Sequence, residues 1–209
     1  VVLNTTEIAS GATLQTETTS TFNGAITGEG TFDAGGNTTI NASLAPTLTM
    51  LVHSGTCAVN SNIVRALPLN VTNATLAGSG SITLTAVGNS FSGATLNGDG
   101  PVTIGAAGTL SITNGQIARP LINDGALTMS GNSSTELLSG CLITNRGVWT
   151  MSAASGQTWT LRTACAATSA AIINEGTMVF AGAGSKSFIS TCGPVLTFSS
   201  TGTVDIAEG

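Results

Sequence analysis

Hydrophobic and polar residues alternate in short runs that recur along the chain. The clearest copies occupy residues 121–129, 143–151 and 172–180, and close variants with Gly in place of Asn occupy 76–84 and 96–104. Each copy has an apolar residue, a tight turn ending in glycine, and then a strand in which alternate residues are apolar. Because successive side chains of a strand point to opposite faces, the apolar set is predicted to point inward and the intervening small polar residues outward.

The final glycine of the turn marks eight copies of this motif. These glycines are Gly30, Gly55, Gly80, Gly100, Gly125, Gly147, Gly176 and Gly202. They recur at intervals of roughly 20–30 residues, a period typical of a solenoid. We therefore predict an all-β, single-stranded parallel β-helix (β-solenoid) of about eight to nine coils, each of ~24–25 residues. Residues 24–209 form the predicted solenoid, and residues 1–23 are expected to be an irregular N-terminal segment or a first coil.

The position two residues before the reference glycine is mostly Gly or Asn. Both residues tolerate positive φ, so a left-handed residue is predicted at this corner in every coil. Asn123, Asn145 and Asn174 occupy the position in three successive copies. Stacked asparagine side chains can hydrogen-bond along a column, so we predict a structural amide ladder rather than a catalytic role.

A threonine follows three residues after the reference glycine in four successive copies. These residues are Thr83, Thr103, Thr128 and Thr150. They are predicted to form one outward column, and a flat rank of threonines is what ice-binding solenoids use. The neighbouring column reads Ser81, Pro101, Ala126 and Val148, which interrupts a second file. Threonine is also a favourable residue on any exposed strand, so both interpretations stay open.

Charge and aromatic content exclude some classes of function. Only 7% of the residues are charged, the formal net charge is −5 and aromatic residues make up 4%. Without a basic stripe, nucleic-acid binding is not expected. No apolar run approaches the ~18 residues that a membrane-spanning helix needs, so no such helix is predicted.

Acidic residues and the single histidine are the candidates for chemistry. Asp99 and Asp124 precede successive reference glycines, and stacking would bring them close enough to bind calcium or to act as a glycosidase pair. We favour a solvated row of turn residues, in which Arg146 lies between Asp124 and Glu175 as a weak ion-pair ladder. His53 has no partner at catalytic or metal-binding spacing and is expected to be structural or solvated. The sequence therefore predicts no enzyme activity, no cofactor and no metal site.

Three of the four cysteines fall at similar distances after their preceding glycines. Cys141, Cys165 and Cys192 are thus predicted to share one column, one coil apart. Neighbouring strands are close enough for a disulfide, either Cys141–Cys165 or Cys165–Cys192, and the second pairing is favoured. The alternative is that all three are reduced and fill small core positions.

The runs at 74–84 and 121–129 carry a resemblance to known proteins. With their Gly-rich and N-x-G turns they resemble the degenerate repeats of very large bacterial surface proteins. They are also similar to the β-helical passengers of autotransporters and of filamentous-haemagglutinin-type adhesins. The resemblance covers roughly residues 24–206 and implies a secreted, surface-exposed stalk or adhesive module.

Neither end of the sequence reads as an amphipathic helix or a polar end coil that would cover exposed strand edges. We therefore expect self-association at the solenoid ends, or continuation of the same chain there. The leading hypothesis is an extracellular structural or adhesive β-solenoid, part of a longer surface protein or a fibre-forming subunit. An ice-binding solenoid and a carbohydrate-binding or carbohydrate-active β-helix are the alternatives, with a glycan or surface ligand as a further partner.

Overall fold

A computed structural model describes residues 2–132, 134–164, 169–190 and 195–207. The described chain contains short β-strands joined by tight turns and no helix, and all of its strand pairings are parallel. Successive strands pair one coil apart rather than with their neighbours in sequence. This arrangement confirms the predicted parallel β-helix.

Three faces are visited in the same order in each coil, which produces three long sheets. The first sheet contains β1 (Val2–Leu3), β4 (Ser20–Phe22), β7 (Asn37–Ile40), β9 (Thr56–Val59), β12 (Thr75–Ala77), β15 (Thr95–Leu96), β18 (Gln116–Ile117), β21 (Ser134–Leu137), β24 (Thr158–Thr163) and β27 (Ser185–Ser190). The second sheet contains β10 (Ile63–Arg65), β13 (Ile82–Leu84), β16 (Val102–Ile104), β19 (Leu121–Asn123), β22 (Leu142–Asn145), β25 (Ser169–Asn174) and β28 (Val195–Ser200). The third sheet contains β3 (Thr13–Thr16), β6 (Thr31–Ala34), β8 (Thr49–His53), β11 (Leu69–Thr72), β14 (Asn89–Ser92), β17 (Thr109–Thr113), β20 (Ala126–Ser130), β23 (Val148–Ser152), β26 (Thr177–Ala181) and β29 (Thr203–Ile206).

The N-terminal segment that precedes Gly24 belongs to the same stack. Strand β1 pairs with β4, and β3 pairs with β6. Between them, β2 (Thr6–Ile8) pairs with β5 (Ile26–Gly28) and takes the place of the second sheet in the first two coils. The segment is therefore a first coil with short strands.

The length of a coil differs from the spacing of the reference glycines. In the third sheet, Met50 pairs with Leu69 and Leu110 pairs with Leu127, so a coil of this part of the chain holds only about 20 residues. The coils become longer where Trp149 pairs with Met178 and Met178 pairs with Val204. The first and third sheets each hold ten strands, so the stack has about ten coils and is roughly 43 Å long at ~4.8 Å per strand.

The reason for the difference is that the same glycine turn occurs at all three corners of the coil. Gly80 and Gly100 lie between the first and second sheets, Gly125 and Gly147 lie between the second and third, and Gly55 lies between the third and first. At each corner the missing Cβ allows close stacking on the coil below: a Cβ on Gly100 would lie 2.2 Å from the carbonyl oxygen of Gly80. Successive reference glycines therefore do not always lie at the same corner, and the interval between two of them does not equal the length of a coil.

Inward side chains form continuous columns through the stack. One column of the third sheet consists of Leu14, Phe32, Met50, Leu69, Asn89, Leu110, Leu127, Trp149, Met178 and Val204. From Phe32 to Met178 these side chains are buried, whereas Val204 in the last coil is 44% exposed. Each fully buried aliphatic or aromatic side chain stabilises the stack by about 1.5–3 kcal/mol.

The predicted left-handed residue two positions before the reference glycine is present in some copies of the motif and absent in others. Gly28, Gly78 and Gly98 have positive φ as predicted, whereas Asn123, Asn145 and Asn174 are not among the described non-glycine residues with positive φ, so the prediction is wrong for the asparagines. Six successive coils also have positive φ at the corner between the third and first sheets. These residues are Gly36, Ser54, Asn73, Gly93, Asn114 and Gly131. Gly and Asn adopt this conformation at least cost.

Candidate functional site

Two adjacent files of hydroxyl groups cover the outer face of the third sheet over four consecutive coils. They come from a Ser/Thr-x-Ser/Thr pattern on β14, β17, β20 and β23, and the strand registers align every member with its counterpart in the next coil. The first file is Ser90, Ser111, Thr128 and Thr150, and the second is Ser92, Thr113, Ser130 and Ser152. We refer to these eight residues as the hydroxyl array.

The array is regular because the core holds each strand in place. The residue between the two hydroxyls is a buried anchor in every coil, namely Phe91, Ile112, Met129 and Met151. Neighbouring hydroxyls are thus about 4.8 Å apart along the stack and about 7 Å apart along a strand. None of the eight positions is charged, and seven are half-buried while Ser90 is exposed. The result is a neutral surface with two fixed repeats.

The predicted threonine column is divided between two sheets. Thr83 pairs with Thr103 on the second sheet, where the next residue in the column is Ile122. Thr128 pairs with Thr150 on the third sheet. A single outward column of four threonines is therefore wrong, because the reference glycine moves from one corner to the next between Gly100 and Gly125.

The three asparagines of the turn column lie one above another in the core of the second sheet. Asn123 pairs with Asn145, and Asn145 pairs with Asn174. The side chain of Asn123 donates through Nδ2 to Oδ1 of Asn145 at 2.6 Å, and Asn145 donates in the same way to Asn174 at 2.7 Å. Each Nδ2 also donates to a backbone carbonyl of the next coil, that of Val148 or Thr177 in these two cases. The ladder therefore joins neighbouring coils at the corner between the second and third sheets.

The ladder begins at Asn123 because the residue below it is Ile104. Oδ1 of Asn123 is buried and has no hydrogen-bond donor. At the upper end, Asn174 donates to the hydroxyl of Ser200 at 3.0 Å. A buried amide network of this kind positions strands and has no reactive group exposed to a ligand.

Asp99 and Asp124 do not meet. Asp99 precedes Gly100 at the corner between the first and second sheets, and Asp124 precedes Gly125 at the next corner. The expected stacking of these carboxylates is therefore wrong, and with it the acid pair that motivated a carbohydrate-active enzyme. Asp124 instead forms an ion pair with Arg146, whose Nε lies 2.8 Å from Oδ1, as the row of turn charges predicts.

Two buried arginines were not identified from the sequence. Arg119 donates to the carbonyl oxygens of Gly100 at 2.5 Å and Gly80 at 2.8 Å, and so binds two lower coils at one corner. Burial lowers its pKa to about 10, an effect opposed by the negative charge of Asp99. Arg65 similarly donates to the carbonyl of Ala45 at 2.8 Å. These side chains complete backbone hydrogen bonding inside the stack.

The cysteines of the favoured disulfide, Cys165 and Cys192, lie outside the described residues. Cys57 and Cys141 are described, and both are free thiols buried in the core. Burial raises the pKa of each thiol to about 12. Among the described residues no group of three or more His, Cys, Asp or Glu side chains is arranged to hold a metal ion, and no helix is long and apolar enough to cross a membrane.

Comparison with known proteins adds no relative: no family model, no curated protein and no solved structure matches the chain.

Proposed function

We propose that the chain is an extracellular structural or adhesive β-solenoid, in which the coils form a rigid rod that continues beyond its last described coil. The observation that carries this proposal is the exposure of inward side chains in the last described coil. Phe198, Val204 and Ile206 are 49%, 44% and 71% exposed although they occupy core positions. In a completed solenoid such positions are covered by another coil.

The surface of this last coil has the form of a coil–coil interface. A concavity of about 390 Å³ is lined only by apolar residues, which are Ile172, Met178, Phe180, Phe188, Leu196, Phe198 and Val204. Phe180 and Phe188 meet edge to face with ring centroids 5.7 Å apart. Strands β27, β28 and β29 also have unpaired edges in parallel orientation, which favour the addition of further strands. Both properties fit a further β-coil as the partner.

The proposal is tested by measuring assembly of the chain and of two matched variants. Light scattering after size exclusion, with negative-stain microscopy, is expected to show concentration-dependent end-to-end association. Ile206→Lys places a charge on the exposed core end and should abolish this association. Val87→Lys changes an equally exposed valine (69%) on the side of the rod and should leave it unchanged. Monomers at all concentrations, with slow hydrogen exchange of β27–β29, would contradict the proposal because the end would then need no partner.

A second candidate is ice binding, and the hydroxyl array is the observation that favours it. Two fixed repeats of hydroxyl groups on a neutral face can hold water in a lattice-like arrangement. The array comprises two files over four coils, whereas the sequence indicated one column of threonines beside an interrupted second file.

Thermal hysteresis and inhibition of ice recrystallisation test this second candidate. Thr128→Lys lies in the middle of the array and should remove the activity. Thr103→Lys is the control, because this threonine is also half-buried but lies on the second sheet. Absence of thermal hysteresis in the unmodified protein, or equal loss in both variants, would reject ice binding.

A further inference from the structure

An asparagine followed directly by glycine occurs three times in the sequence, at Asn23–Gly24, Asn97–Gly98 and Asn114–Gly115. Such a step can react with itself in water. Hydroxide removes the proton from the glycine backbone nitrogen, and this nitrogen forms a bond to Cγ of the asparagine. The Cγ–Nδ2 bond breaks, so that Nδ2 leaves as ammonia with a proton from water, and water then opens the cyclic succinimide to aspartate or isoaspartate. The rate depends on how well the nitrogen and Cγ are aligned, so the fold decides which of the three steps reacts.

The side chain of Asn97 is folded back onto the nitrogen that would attack it. The backbone N–H of Gly98 donates to Oδ1 of Asn97 at 2.8 Å. Because Oδ1 is bonded to Cγ at about 1.2 Å, the same nitrogen lies roughly 3–3.5 Å from Cγ, which is the separation of two atoms arranged for reaction. Gly98 has φ +105°, a conformation that favours glycine, and the residue has no side chain to shield its nitrogen.

Water and hydroxide have access to this step. Asn97 is exposed and follows β15 at the corner between the first and second sheets, where it lines a concavity of about 460 Å³ together with Asp99 and Ser139. Ala77 and Ala118 occupy the corresponding positions of the coils below and above. An alanine side chain cannot hydrogen-bond, so these positions do not hold the Asn97 carboxamide away from Gly98.

The side chain of Asn23 is held differently, although this residue is also exposed. Its Oδ1 accepts a hydrogen bond from Nδ2 of Asn41 in the next coil at 2.9 Å, so the carboxamide belongs to a ladder. Gly24 packs against the first coil, where an added Cβ would lie 2.2 Å from the backbone nitrogen of Thr5. Ring closure at this step therefore requires the side chain to leave the ladder.

The side chain of Asn114 contacts the next coil. Asn114 has φ +53°, and its Oδ1 lies over Gly131, 2.6 Å from the position of an added Cβ. Gly115, whose nitrogen would attack, is buried. The contact with Gly131 fixes the carboxamide, and the burial of Gly115 reduces the access of hydroxide to its nitrogen.

We propose that Asn97 is a site of spontaneous deamidation in the folded protein, with water as the co-reactant and ammonia as the leaving group. The aspartate that forms adds a negative charge two residues from Asp99. The isoaspartate adds a methylene to the main chain at a corner where Gly98 stacks closely on Gly78, since an added Cβ would lie 2.1 Å from the Gly78 carbonyl oxygen. Because the site lies on the side of the rod, its reaction does not depend on association of the ends.

Incubation of the folded protein at mildly alkaline pH tests the proposal. Digestion with pepsin in acid and peptide mapping by mass spectrometry then measure all three steps in one sample, and electron-based fragmentation separates aspartate from isoaspartate. Asn97 should deamidate about 10- to 100-fold faster than Asn23 and Asn114, which is the factor expected from a difference in alignment of about 1 Å.

The unfolded chain is the first control, because the three steps should react at similar rates in guanidinium chloride, where the folded geometry is lost. Asn97→Gln removes the five-membered ring and should abolish the modification at this position without changing the rates at Asn23 and Asn114. Asn60→Gln is the matched variant, since Asn60 is exposed at the same corner, and it should leave the rate at Asn97 unchanged. Equal rates at the three steps in the folded protein, or the same excess at Asn97 in the unfolded chain, would overturn the proposal.

Discussion

The buried asparagine ladder predicts unequal effects for chemically identical substitutions. Asn145 accepts one hydrogen bond from Asn123 and donates to Asn174 and to the Thr177 carbonyl. Asn145→Ala therefore leaves an N–H of Asn123 and the Oδ1 of Asn174 unpaired in the core. Each buried polar group without a partner costs about 1–3 kcal/mol, so the expected loss is about 2–6 kcal/mol.

Asn123→Ala should be less severe, although the residue is equally buried. The Val148 carbonyl loses its amide donor, as the Thr177 carbonyl does in Asn145→Ala, but among side chains only the Oδ1 of Asn145 is left unpaired. The substitution also removes an Oδ1 that has no donor in the native protein. The expected loss is about 1–3 kcal/mol. Asn41 provides a third comparison, because it belongs to an exposed ladder with Asn23 and Asn60. Water can replace its partners, so Asn41→Ala should change stability by less than about 0.5 kcal/mol.

Urea denaturation followed by tryptophan fluorescence measures these differences. Trp149 and Trp159 are both fully buried in the coils around the ladder, and they report the unfolding of that region. The free energies of unfolding should be compared at equal m values. If Asn123→Ala destabilises the protein as much as Asn145→Ala, the ladder does not act as a chain of paired amides and the reasoning is wrong.

Two further predictions concern glycine and cysteine. Gly78→Ala should destabilise the protein much more than Gly88→Ala in thermal unfolding: both have positive φ, but only at Gly78 would a Cβ collide with backbone, 2.2 Å from the Val59 carbonyl oxygen. Equal losses of stability in the two variants would show that the positive φ alone, and not the contact with backbone, causes the destabilisation. For the thiols, the pKa of Cys57 rises from 9.0 to about 12 on folding, so the folded chain retains a proton that the unfolded chain loses. The free energy of unfolding should therefore fall as the pH rises above the pKa of the unfolded thiol, by up to about 1.4 kcal/mol per pH unit for each thiol. Cys57→Ala should reduce this slope, and an unchanged slope would contradict the assignment.

Much of the fold follows from local pattern alone. Apolar alternation after each turn identifies inward residues correctly at Ile82, Leu127 and Trp149, although these belong to different sheets. A strand on any of the three faces needs inward apolar residues. The alternating pattern is therefore sufficient to predict the fold class. The vertical register of the asparagines was also readable, because Asn123, Asn145 and Asn174 share one corner and keep the same distance to their glycines.

The assignment of each copy to a face could not be read in the same way. A turn that brings backbone close to the coil below requires glycine at every corner, so Gly100 and Gly125 look equivalent although they lie at different corners. The length of the coil was therefore overestimated. Thr103 and Thr128 were placed in one column for this reason, and the paired hydroxyl files were missed.

The meeting of Glu17, Asp33 and His53 on the outer face of the third sheet depends on the same information. The spacings from Glu17 to Asp33 and from Asp33 to His53 carry no meaning until the coil length is known. Because β3 pairs with β6 and β6 pairs with β8, the three positions fall together on one face. A register read from strand pairing would have identified the cluster, whereas a register read from glycines could not.

The direction of the backbone hydrogen bonds determines how the rod would respond to mechanical force. In every sheet these bonds run along the stacking axis, because neighbouring strands come from successive coils. Tension applied along the axis therefore loads the bonds of one coil at a time and should peel coils from an end in sequence. A released coil of about 20 residues lengthens the chain by up to roughly 70 Å, and the wider coils near the C-terminal end by up to roughly 95 Å. Single-molecule stretching should thus show a series of steps whose size records the length of each coil.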